Sequence, residues 1–479
     1  MKGLKILLVI LLIFGTISCK NDDSWGEPYL EFLSPSDENI SISSKSNYLN
    51  PITITLKTNR NVTVTSVDSS SNNAANWIGI HTSQLHKETV NLIFTVDMTL
   101  IKRAATITIT TEPKNVKDNK QTTLKIHLRQ SSINPSLGGT IREYVGGLWT
   151  DAKKIEVCGK IDASDIHYMN RSMQELIEID LRDATIVEYT GIYGPVLESL
   201  IFYPANEMPQ NSFAGNDRPL SIILPSNLAK IGKKAFADCG IENINIPVNT
   251  TSIEELAFWS CEKLTAVNLH ANLTSIGKGA FMYCRELTTI SLPDNLTLIQ
   301  DETFAFCDKL SSVQFPLGLT SIGEGAFLQC YNLLALNFPI GLKSIGNSAF
   351  IGCNSLNSIS FPIGLNSIGN SAFAGSALTE LHLPNGLTSI GTGSFSSCDG
   401  LKSIVLPESL TSIGSDAFGA SRNIEEIICY SIDPSNMEIH SGAFSDIVKS
   451  TCILKVPSVA LESYKTASVW KDFKNIQAL

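Results

Sequence analysis

The chain has 479 residues, of which 43% are hydrophobic and 17% are charged, and its formal net charge is −10 at pH 7. An acidic balance without any run of Lys or Arg lacks the basic face that nucleic-acid phosphates require, so we predict no nucleic-acid partner. Eleven cysteines and seven histidines raise the question of disulfides or metal sites, which their spacing can answer.

The N-terminus has the pattern of a secretory signal peptide over residues 1–18. Lys2 and Lys5 precede an apolar run from Ile6 to Phe14, and a run of this length is too short to span a bilayer. Cleavage after residue 18 would remove both lysines and take the net charge from −10 to −12.

The next segment, residues 19–28, is predicted to be a tether. Cys19 follows Gly-Thr-Ile-Ser, which resembles a bacterial lipobox, although Thr16 stands where leucine is commoner. The resemblance implies that Cys19 carries a lipid; plain secretion, with Cys19 at the start of a linker, is the alternative. Residues 20–23 resemble the acidic signal that sends Bacteroidetes lipoproteins to the outer face of the outer membrane. This implies a lipid-anchored protein of the outer membrane that faces the cell exterior.

Residues 29–131 are predicted to form an immunoglobulin-like β-sandwich, because short alternating strands recur between Asn, Ser and Asp turns. Trp77-Ile78, the stretch from Arg103 to Ile109 and the closing Leu128 to Gln130 are similar to BACON domains of Bacteroidetes surface proteins. That resemblance leaves two roles open, a carbohydrate-binding module or a spacer. The predicted strands are Tyr29 to Leu33, Ile40 to Ile42, Ile52 to Leu56, Val62 to Val67, Val90 to Val96, Ala105 to Thr111 and Thr123 to Leu128.

Residues 132–212 are predicted to be a linker followed by the N-terminal cap of a solenoid. Asn134 to Gly139 is rich in Pro, Ser and Gly. A helix is predicted near Ser164 to Met173, and Leu176 to Ile186 is expected to form an irregular first turn. A solenoid needs such caps because its terminal units would otherwise expose an apolar face.

Residues 213–446 repeat with a period of 22 or 23 residues, which predicts a solenoid of stacked coils. The consensus is L-x-x-I-x-[L/F]-P-x-x-L-x-S-I-G-x-x-A-F-x-x-C. It predicts a short strand with one buried side, a proline where that strand stops and a glycine at a turn. The recurring phenylalanines are Phe213, Phe236, Phe258, Phe281, Phe304, Phe327, Phe350, Phe373, Phe395 and Phe418.

This pattern resembles the BspA-type leucine-rich repeat, found on surface proteins of gut and oral Bacteroidetes and of some protozoan parasites. The fold class expected from the sequence is therefore mostly β, a sandwich followed by a leucine-rich-repeat solenoid. After Phe418 the period slips to 26 before Phe444. Residues 447–479 are predicted to be a C-terminal cap, with a strand from Cys452 to Pro457 and a helix from Ser458 to Trp470.

One cysteine per repeat is neither a disulfide nor a zinc spacing. Serine stands in the same column at Ser376 and Ser421, which suits a small buried slot. We therefore predict a stacked column of free thiols and no metal. The column comprises Cys239, Cys261, Cys284, Cys307, Cys330, Cys353 and Cys398.

The sequence contains no nucleophile paired with a base, no phosphate-binding glycine loop and no clustered carboxylates, so we predict neither an enzyme nor a cofactor. Four aromatic residues follow the core phenylalanine in consecutive repeats: Trp259, Tyr283, Phe306 and Tyr331. They are a candidate ligand patch if they line one outer edge, or they simply pack between coils.

The resemblance implies a surface protein that acts by adhesion or recognition of host or microbial macromolecules. Its partner would be an extracellular protein or glycan. Two alternatives stay open, a glycan-binding component of a polysaccharide-capture system and a purely structural stalk.

Overall fold

The computed structural model describes residues 138, 139, 141, 152–195 and 200–479, together with the backbone of strands between residues 42 and 130. The predicted signal peptide, Cys19 and the tether lie outside the described residues. The chain divides into two compact units, Met1–Tyr189 and Thr190–Leu479. In the described part of the chain, no helix has the length and apolar character needed to cross a membrane.

Seven of the strands described between residues 42 and 130 pair in antiparallel fashion into two sheets, one of four strands and one of three, whereas Thr99–Leu100 pairs in parallel with Lys154–Glu156. The side chains of this segment lie outside the described residues, so the β-sandwich of residues 29–131 and its BACON resemblance stay predictions. The strands are Ile42–Lys45, Ile52–Lys57, Val62–Ser69, Ile78–His86, Thr89–Val96, Thr99–Leu100, Arg103–Thr111 and Thr123–Gln130.

The region predicted as the N-terminal cap contains the helix Ala163–Ser172. Asp162 caps it, since its side chain accepts hydrogen bonds from the backbone N–H groups of Ser164 and Asp165. The strands here already pair in parallel, as in a coil: Lys154–Glu156 with Glu178–Asp180, and Lys160–Ile161 with Thr185–Ile186.

Each repeat of the solenoid contributes two strands, one on each side of the coil, and equivalent strands of successive repeats pair in parallel and in register. Tyr189–Gly191 and Ile201–Tyr203 pair with each other in a separate two-stranded sheet. On the first side lie Ser221–Ile223, Asn243–Asn245, Ala266–Asn268, Thr289–Ser291, Ser312–Gln314, Ala335–Asn337, Ser358–Ser360, Glu380–His382, Ser403–Leu406 and Glu426–Cys429. On the second side lie Glu207–Met208, Lys230–Ile231, Ser252–Ile253, Ser275–Ile276, Leu298–Ile299, Ser321–Ile322, Ser344–Ile345, Ser367–Ile368, Ser389–Ile390, Ser412–Ile413 and Glu438–Ile439.

The recurring phenylalanines form a continuous stack through the core. The eleven rings from Phe213 to Phe444 are fully buried. Successive ring centroids lie 5.1–5.8 Å apart, and the ring planes differ by 1–13°. Because both faces of each ring within the stack are covered by the rings of the adjacent coils, no repeat can bury its phenylalanine alone. The predicted solenoid of about 23-residue repeats is confirmed.

The glycine of the Ser-Ile-Gly step is required for a reason that differs from the prediction. Gly277, Gly323 and Gly346 do not have positive φ angles. A Cβ atom on Gly277 would lie 2.5 Å from the backbone nitrogen of Glu255, and one on Gly346 would lie 2.7 Å from the carbonyl carbon of Gly323. The coils therefore approach too closely here for any side chain.

The C-terminal cap differs in part from the prediction. The expected helix from Ser458 to Trp470 is instead a 3₁₀ turn, Ser458–Ala460, followed by the helix Leu461–Thr466, which ends where Ala467 is extended. Beyond it Val469 has a φ of 70°, and the buried Trp470 packs on Phe444 with ring centroids 5.4 Å apart. The remaining elements are two 3₁₀ turns, Pro434–Asn436 and Trp470–Asp472, and the parallel strands Ile453–Val456 and Asn475–Ala478.

Candidate interaction surface

The candidate surface is built on a turn, at the residue that lies two positions after each core phenylalanine. In all eleven repeats this residue has a φ between 55 and 79°. From Gly215 to Ser397 its N–H donates a hydrogen bond to the next coil; for example, Tyr283 N donates to Ala305 O at 2.9 Å and Phe306 N to Leu328 O at 2.7 Å. The turn is therefore fixed by the repeat, whatever residue occupies it. The residues are Gly215, Asp238, Ser260, Tyr283, Phe306, Gln329, Gly352, Gly375, Ser397, Ala420 and Asp446.

Two of these left-handed positions carry large aromatic residues, Tyr283 and Phe306, where the other repeats have glycine, alanine, serine, aspartate or glutamine. A bulky residue at positive φ is a conformational outlier that the rest of the structure must stabilise. Both side chains are half-buried, so neither is needed to fill the core. Because residues in unfavourable backbone conformations cluster at functional sites, Tyr283 and Phe306 mark a candidate site.

Tyr283 and Phe306 stack face to face, with ring centroids 4.4 Å apart and planes 10° apart. Trp259 continues the contact through an edge-on arrangement with Tyr283, at 6.5 Å and 83°. We call Trp259, Tyr283 and Phe306 the aromatic row. Since the stacked pair belongs to successive coils, the ring normals follow the stacking direction and the ring edges point outward.

Tyr331, the fourth residue of the predicted patch, lies outside the aromatic row. It follows Cys330 directly, whereas Phe306 precedes its cysteine, and its hydroxyl donates to Gln329 Oε1 at 2.6 Å. Within the described residues, no ring contact joins Tyr331 to Phe306. The structure thus brings together three of the four predicted residues, and whether they bind a ligand stays a prediction.

Charged side chains flank the row. The Arg285 guanidinium lies 5.5 Å from the centroid of the Tyr283 ring, within cation–π range. It also pairs with Asp308, with Nη1 and Oδ2 2.7 Å apart, and with Glu262, with Nε and Oε1 3.5 Å apart. The hydrogen bond to Asp308 raises the pKa of Arg285 above its ordinary value.

The sequence analysis did not predict that charged side chains flank the aromatic row. A signal was present, because Glu262, Arg285 and Asp308 each follow the cysteine of successive repeats and alternate in sign. Equivalent positions of adjacent coils are neighbours in a solenoid, so such a column predicts an ion-pair ladder.

The thiol column is confirmed as a column of buried free cysteines. Each thiol from Cys261 to Cys353 donates to the carbonyl of the phenylalanine in the preceding repeat, with Sγ and O 3.0–3.3 Å apart. Burial raises the pKa of Cys239 and of Cys353 to about 12. Such thiols are neither nucleophiles nor metal ligands at neutral pH, and no metal-binding cluster of His, Cys, Asp or Glu occurs in the described ranges.

The polar face of the first strand side is as predicted from alternation, with Thr289 and Ser291 exposed on either side of a buried Ile290. Several of its side chains bind each other along the ladder; Ser291 Oγ, for example, donates to Gln314 Oε1 at 3.1 Å. This face is mostly polar and displays no Phe, Tyr or Trp side chain on its strands between residues 221 and 382. The aromatic row is therefore the more distinctive surface.

Comparison with known proteins gives one family match. The family model described as the BspA type leucine rich repeat region matches residues 206–334 and 320–451 in six copies, which together make up about half of the chain. No curated protein matches the chain.

Several solved structures are similar in fold. A leucine-rich repeat protein from Bacteroides ovatus is 22% identical, with a TM-score of 0.42 over 63% of this chain and 92% of that chain. A leucine-rich cell surface protein from Faecalibacterium prausnitzii is 22% identical, with a TM-score of 0.34 over 59% and 85% of the two chains. The pneumococcal vaccine antigen PcpA is 17% identical, with a TM-score of 0.31 over 68% and 80%.

Proposed function

The chain belongs to the family of BspA-type leucine-rich repeat proteins, and we propose that it is a cell-surface recognition or adhesion protein that binds an extracellular protein through the aromatic row. The proposal includes secretion and a lipid anchor at Cys19 in the outer membrane. It includes no catalytic activity and no cofactor.

The observation that carries the proposal is the aromatic row itself. Aromatic side chains and arginine dominate the binding energy of protein interfaces, and here Tyr283 and Arg285 lie together at the surface. The backbone N–H groups of Tyr283 and Phe306 are hydrogen-bonded to the next coil. Binding would thus require little ordering of the protein, which lowers the entropic cost of association.

The geometry of the rings favours a protein ligand over a glycan. A sugar ring packs flat on the exposed face of an aromatic side chain. In the row, Phe306 covers one face of Tyr283, and Arg285 lies over the same ring. The outward edges carry the positive part of the ring quadrupole, so they suit apolar side chains and carboxylates of a protein.

A structural stalk without a ligand accounts less well for the row. A stalk needs only small residues at the left-handed turn, as Gly352 and Gly375 show in two adjacent repeats. Tyr283 and Phe306 adopt a backbone conformation that is unfavourable for a large side chain, and a glycine at either position would adopt it without strain.

The proposal is tested by presenting the purified full chain to an immobilised panel of extracellular matrix proteins and, in parallel, to a glycan array. We expect a protein of the panel to be bound and the glycans not to be. Binding to glycans alone would support the polysaccharide-capture alternative and contradict the proposal.

The lipid anchor is tested separately by growing cells with a labelled fatty acid. The wild-type chain should incorporate the label, and Cys19→Ala should not. Equal labelling of the two chains would exclude Cys19 as the site.

A further inference from the structure

The parallel ladder on the second side of the solenoid is interrupted at one place between residues 207 and 439. A sheet of four strands ends at Ser275–Ile276, and a sheet of seven strands begins at Leu298–Ile299. The first side is divided into shorter sheets, and one boundary falls between the same two coils, after Ala266–Asn268 and before Thr289–Ser291. We call the contact between these two coils the open joint, because both ladders stop there.

Hydrogen bonds that recur at other joints are missing from the open joint. At the next joint, the backbone N–H and the hydroxyl of Thr320 both donate to Thr297 O, at 2.8 Å each. Within the described residues, Thr297 donates to Thr274 O through neither group, and no hydrogen bond joins Gln300 N to Ile276 O. The backbones of the two coils are therefore not joined along the second side.

The sequence of the second coil accounts for this gap, because Leu298 and Gln300 replace the serine and the glycine of the Ser-Ile-Gly step. The glycine lies against the preceding coil: a Cβ atom on Gly323 would be 2.7 Å from a backbone nitrogen of that coil. A side chain at Gln300 thus keeps the coils apart. Glu254 also replaces this glycine, yet its N–H still bonds to the preceding coil at 2.9 Å. Leu298, the one aliphatic residue in the serine column, must therefore contribute to the gap.

The third edge of the open joint, which bears the core phenylalanines, remains fastened. The backbone N–H groups of Phe281 and Tyr283 donate to the next coil at 2.9 Å each. The ion pair of Arg285 and Asp308, at 2.7 Å, crosses the same joint. Tyr283 and Phe306 of the aromatic row therefore belong to the two coils on either side of it.

The contrast between the edges defines how the two coils can move. On the turn between the two strands, the Asn295 side-chain amide still donates to Ala271 O. Along the strands themselves, separation of the coils breaks fewer hydrogen bonds than it would at a neighbouring joint, and each missing bond lowers the free energy of opening. The fastened phenylalanine edge can then act as the pivot.

We propose that the open joint is a hinge, at which the solenoid bends by opening along its strands and pivoting on the edge that bears the aromatic row. Each repeat of a solenoid contacts only its neighbours, so the weakest joint decides where the array bends. The two second-side sheets, which end at Ser275–Ile276 and begin at Leu298–Ile299, are the arms. In a hinge motion such arms stay rigid, while a few residues between them absorb the change.

The hinge goes beyond the proposed function and does not depend on it. Bending changes the angle between the arms, whereas Tyr283 and Phe306 stay together at the pivot. A partner that contacts only the aromatic row would be insensitive to the angle, and a partner that also reaches both arms would select one angle.

The first test measures the distribution of distances between two spin labels in the purified full chain, by pulsed electron paramagnetic resonance. The labels are attached to unnatural ketone amino acids, so the cysteines of the chain do not react. One pair, at Ser226 and Leu317, spans four joints that include the open joint. The control pair, at Leu317 and Glu408, spans four joints with an unbroken second-side ladder. All three positions are exposed in the same turn.

The two label pairs are matched, because each also crosses two boundaries between sheets of the first side. They therefore differ in the break of the second-side ladder. We expect the distribution for Ser226 and Leu317 to be about twofold wider than that for Leu317 and Glu408. No ligand is present in this measurement, so a failure of the proposed function would leave its result unchanged.

The second test repairs the open joint with the variant Leu298→Ser/Gln300→Gly. The repair should narrow the distribution for Ser226 and Leu317 to the width of the control pair. It should also slow hydrogen exchange of the Thr297 N–H by at least about tenfold, because this group gains an acceptor in the preceding coil.

The matched counterpart is Ser344→Leu/Gly346→Gln, which places the same two residues at a joint where the first-side ladder is already divided. This variant should widen the distribution for Leu317 and Glu408. Its effect on the other label pair should be small, because the changed joint lies outside residues 226–317.

Two results would overturn the hinge. Equal widths for the two label pairs in the wild type would show that the solenoid bends evenly along its length, and this comparison requires no variant of the joint to fold. A folded Leu298→Ser/Gln300→Gly chain whose distribution for Ser226 and Leu317 stays as wide as in the wild type would show that the missing bonds do not permit the bending.

Discussion

The thiol of Cys284 donates a hydrogen bond to the backbone carbonyl of Phe258, with Sγ and O 3.2 Å apart. The two residues belong to adjacent coils, so this bond joins one repeat to the preceding one beside the phenylalanine stack. At Ser421 a hydroxyl replaces the thiol and donates to Phe395 O at 2.9 Å. The column therefore requires a small buried donor and not sulfur as such.

Because the cysteine thiol acts as a hydrogen-bond donor, substitutions at Cys307 can be ranked by the stability that they lose. Cys307→Ser should be tolerated better than Cys307→Ala, because alanine leaves the Phe281 carbonyl without the thiol and opens a small cavity. We expect the alanine variant to lose about 1–3 kcal/mol of the free energy of unfolding. Urea unfolding of both variants measures this, and equal losses would show that the bond contributes little.

Burial of the thiols also predicts a dependence on pH. Because burial raises the pKa of Cys239 to about 12 from an ordinary value of 9.0, the folded chain holds this proton more tightly than the unfolded chain. The contribution of Cys239 to stability should accordingly be constant below about pH 8 and be lost as the pH rises from the ordinary thiol pKa of 9.0 towards about 12. Thermal unfolding between neutral and alkaline pH checks the trend. A variant with serine at Cys239 should show a smaller fall.

Two phenylalanines that are two residues apart should respond differently to truncation. Phe304 is fully buried between two rings of the stack, at 5.6 and 5.3 Å, so Phe304→Ala should cost about 3–5 kcal/mol. Phe306 is half-buried in the aromatic row at a φ of 60°. Phe306→Gly should change stability by no more than about 1 kcal/mol, because relief of the backbone offsets the lost ring contact. Calorimetric unfolding of the two variants should separate them clearly.

The close approach of coils predicts which glycines are replaceable. A Cβ on Gly346 would meet the backbone of Gly323 at 2.7 Å, whereas nothing lies within 4 Å of one on Gly215. Gly215→Ala should cost only the strain of its φ of 70°, about 1–2 kcal/mol. Gly346→Ala must also separate two coils and should cost more. Comparable unfolding midpoints for the two variants would contradict this account of the Ser-Ile-Gly step.

The solenoid was predictable because the residues that define it recur at the same positions in every repeat. Burial of Phe281 and Cys284 follows from their recurrence in neighbouring coils, and eleven repeats make the pattern hard to mistake. Features that occur once were harder to predict. The positive φ of Val469, just before the buried Trp470, has no sequence signal, since β-branched residues disfavour that region.

The candidate site was predictable only in part. The spacing of Tyr283 and Phe306 from the core phenylalanine is the same, so their stacking follows from the repeat. Tyr331 has a different spacing and therefore lies in a different column. The orientation of the rings, edge outward, depends on the left-handed turn, which the sequence does not reveal because Asp238, Ser260 and Gln329 adopt it as well.

The most direct test of the account compares the wild-type chain with Tyr283→Gly/Phe306→Gly, using surface plasmon resonance on the matrix protein that the wild type binds. Ser397→Ala is the control, since Ser397 occupies the same left-handed turn in another repeat. The account predicts that the double variant keeps its melting temperature and loses at least about tenfold in affinity, as expected for aromatic residues at the centre of an interface, while the control binds as tightly as the wild type. Undiminished binding by a fully folded double variant would contradict it.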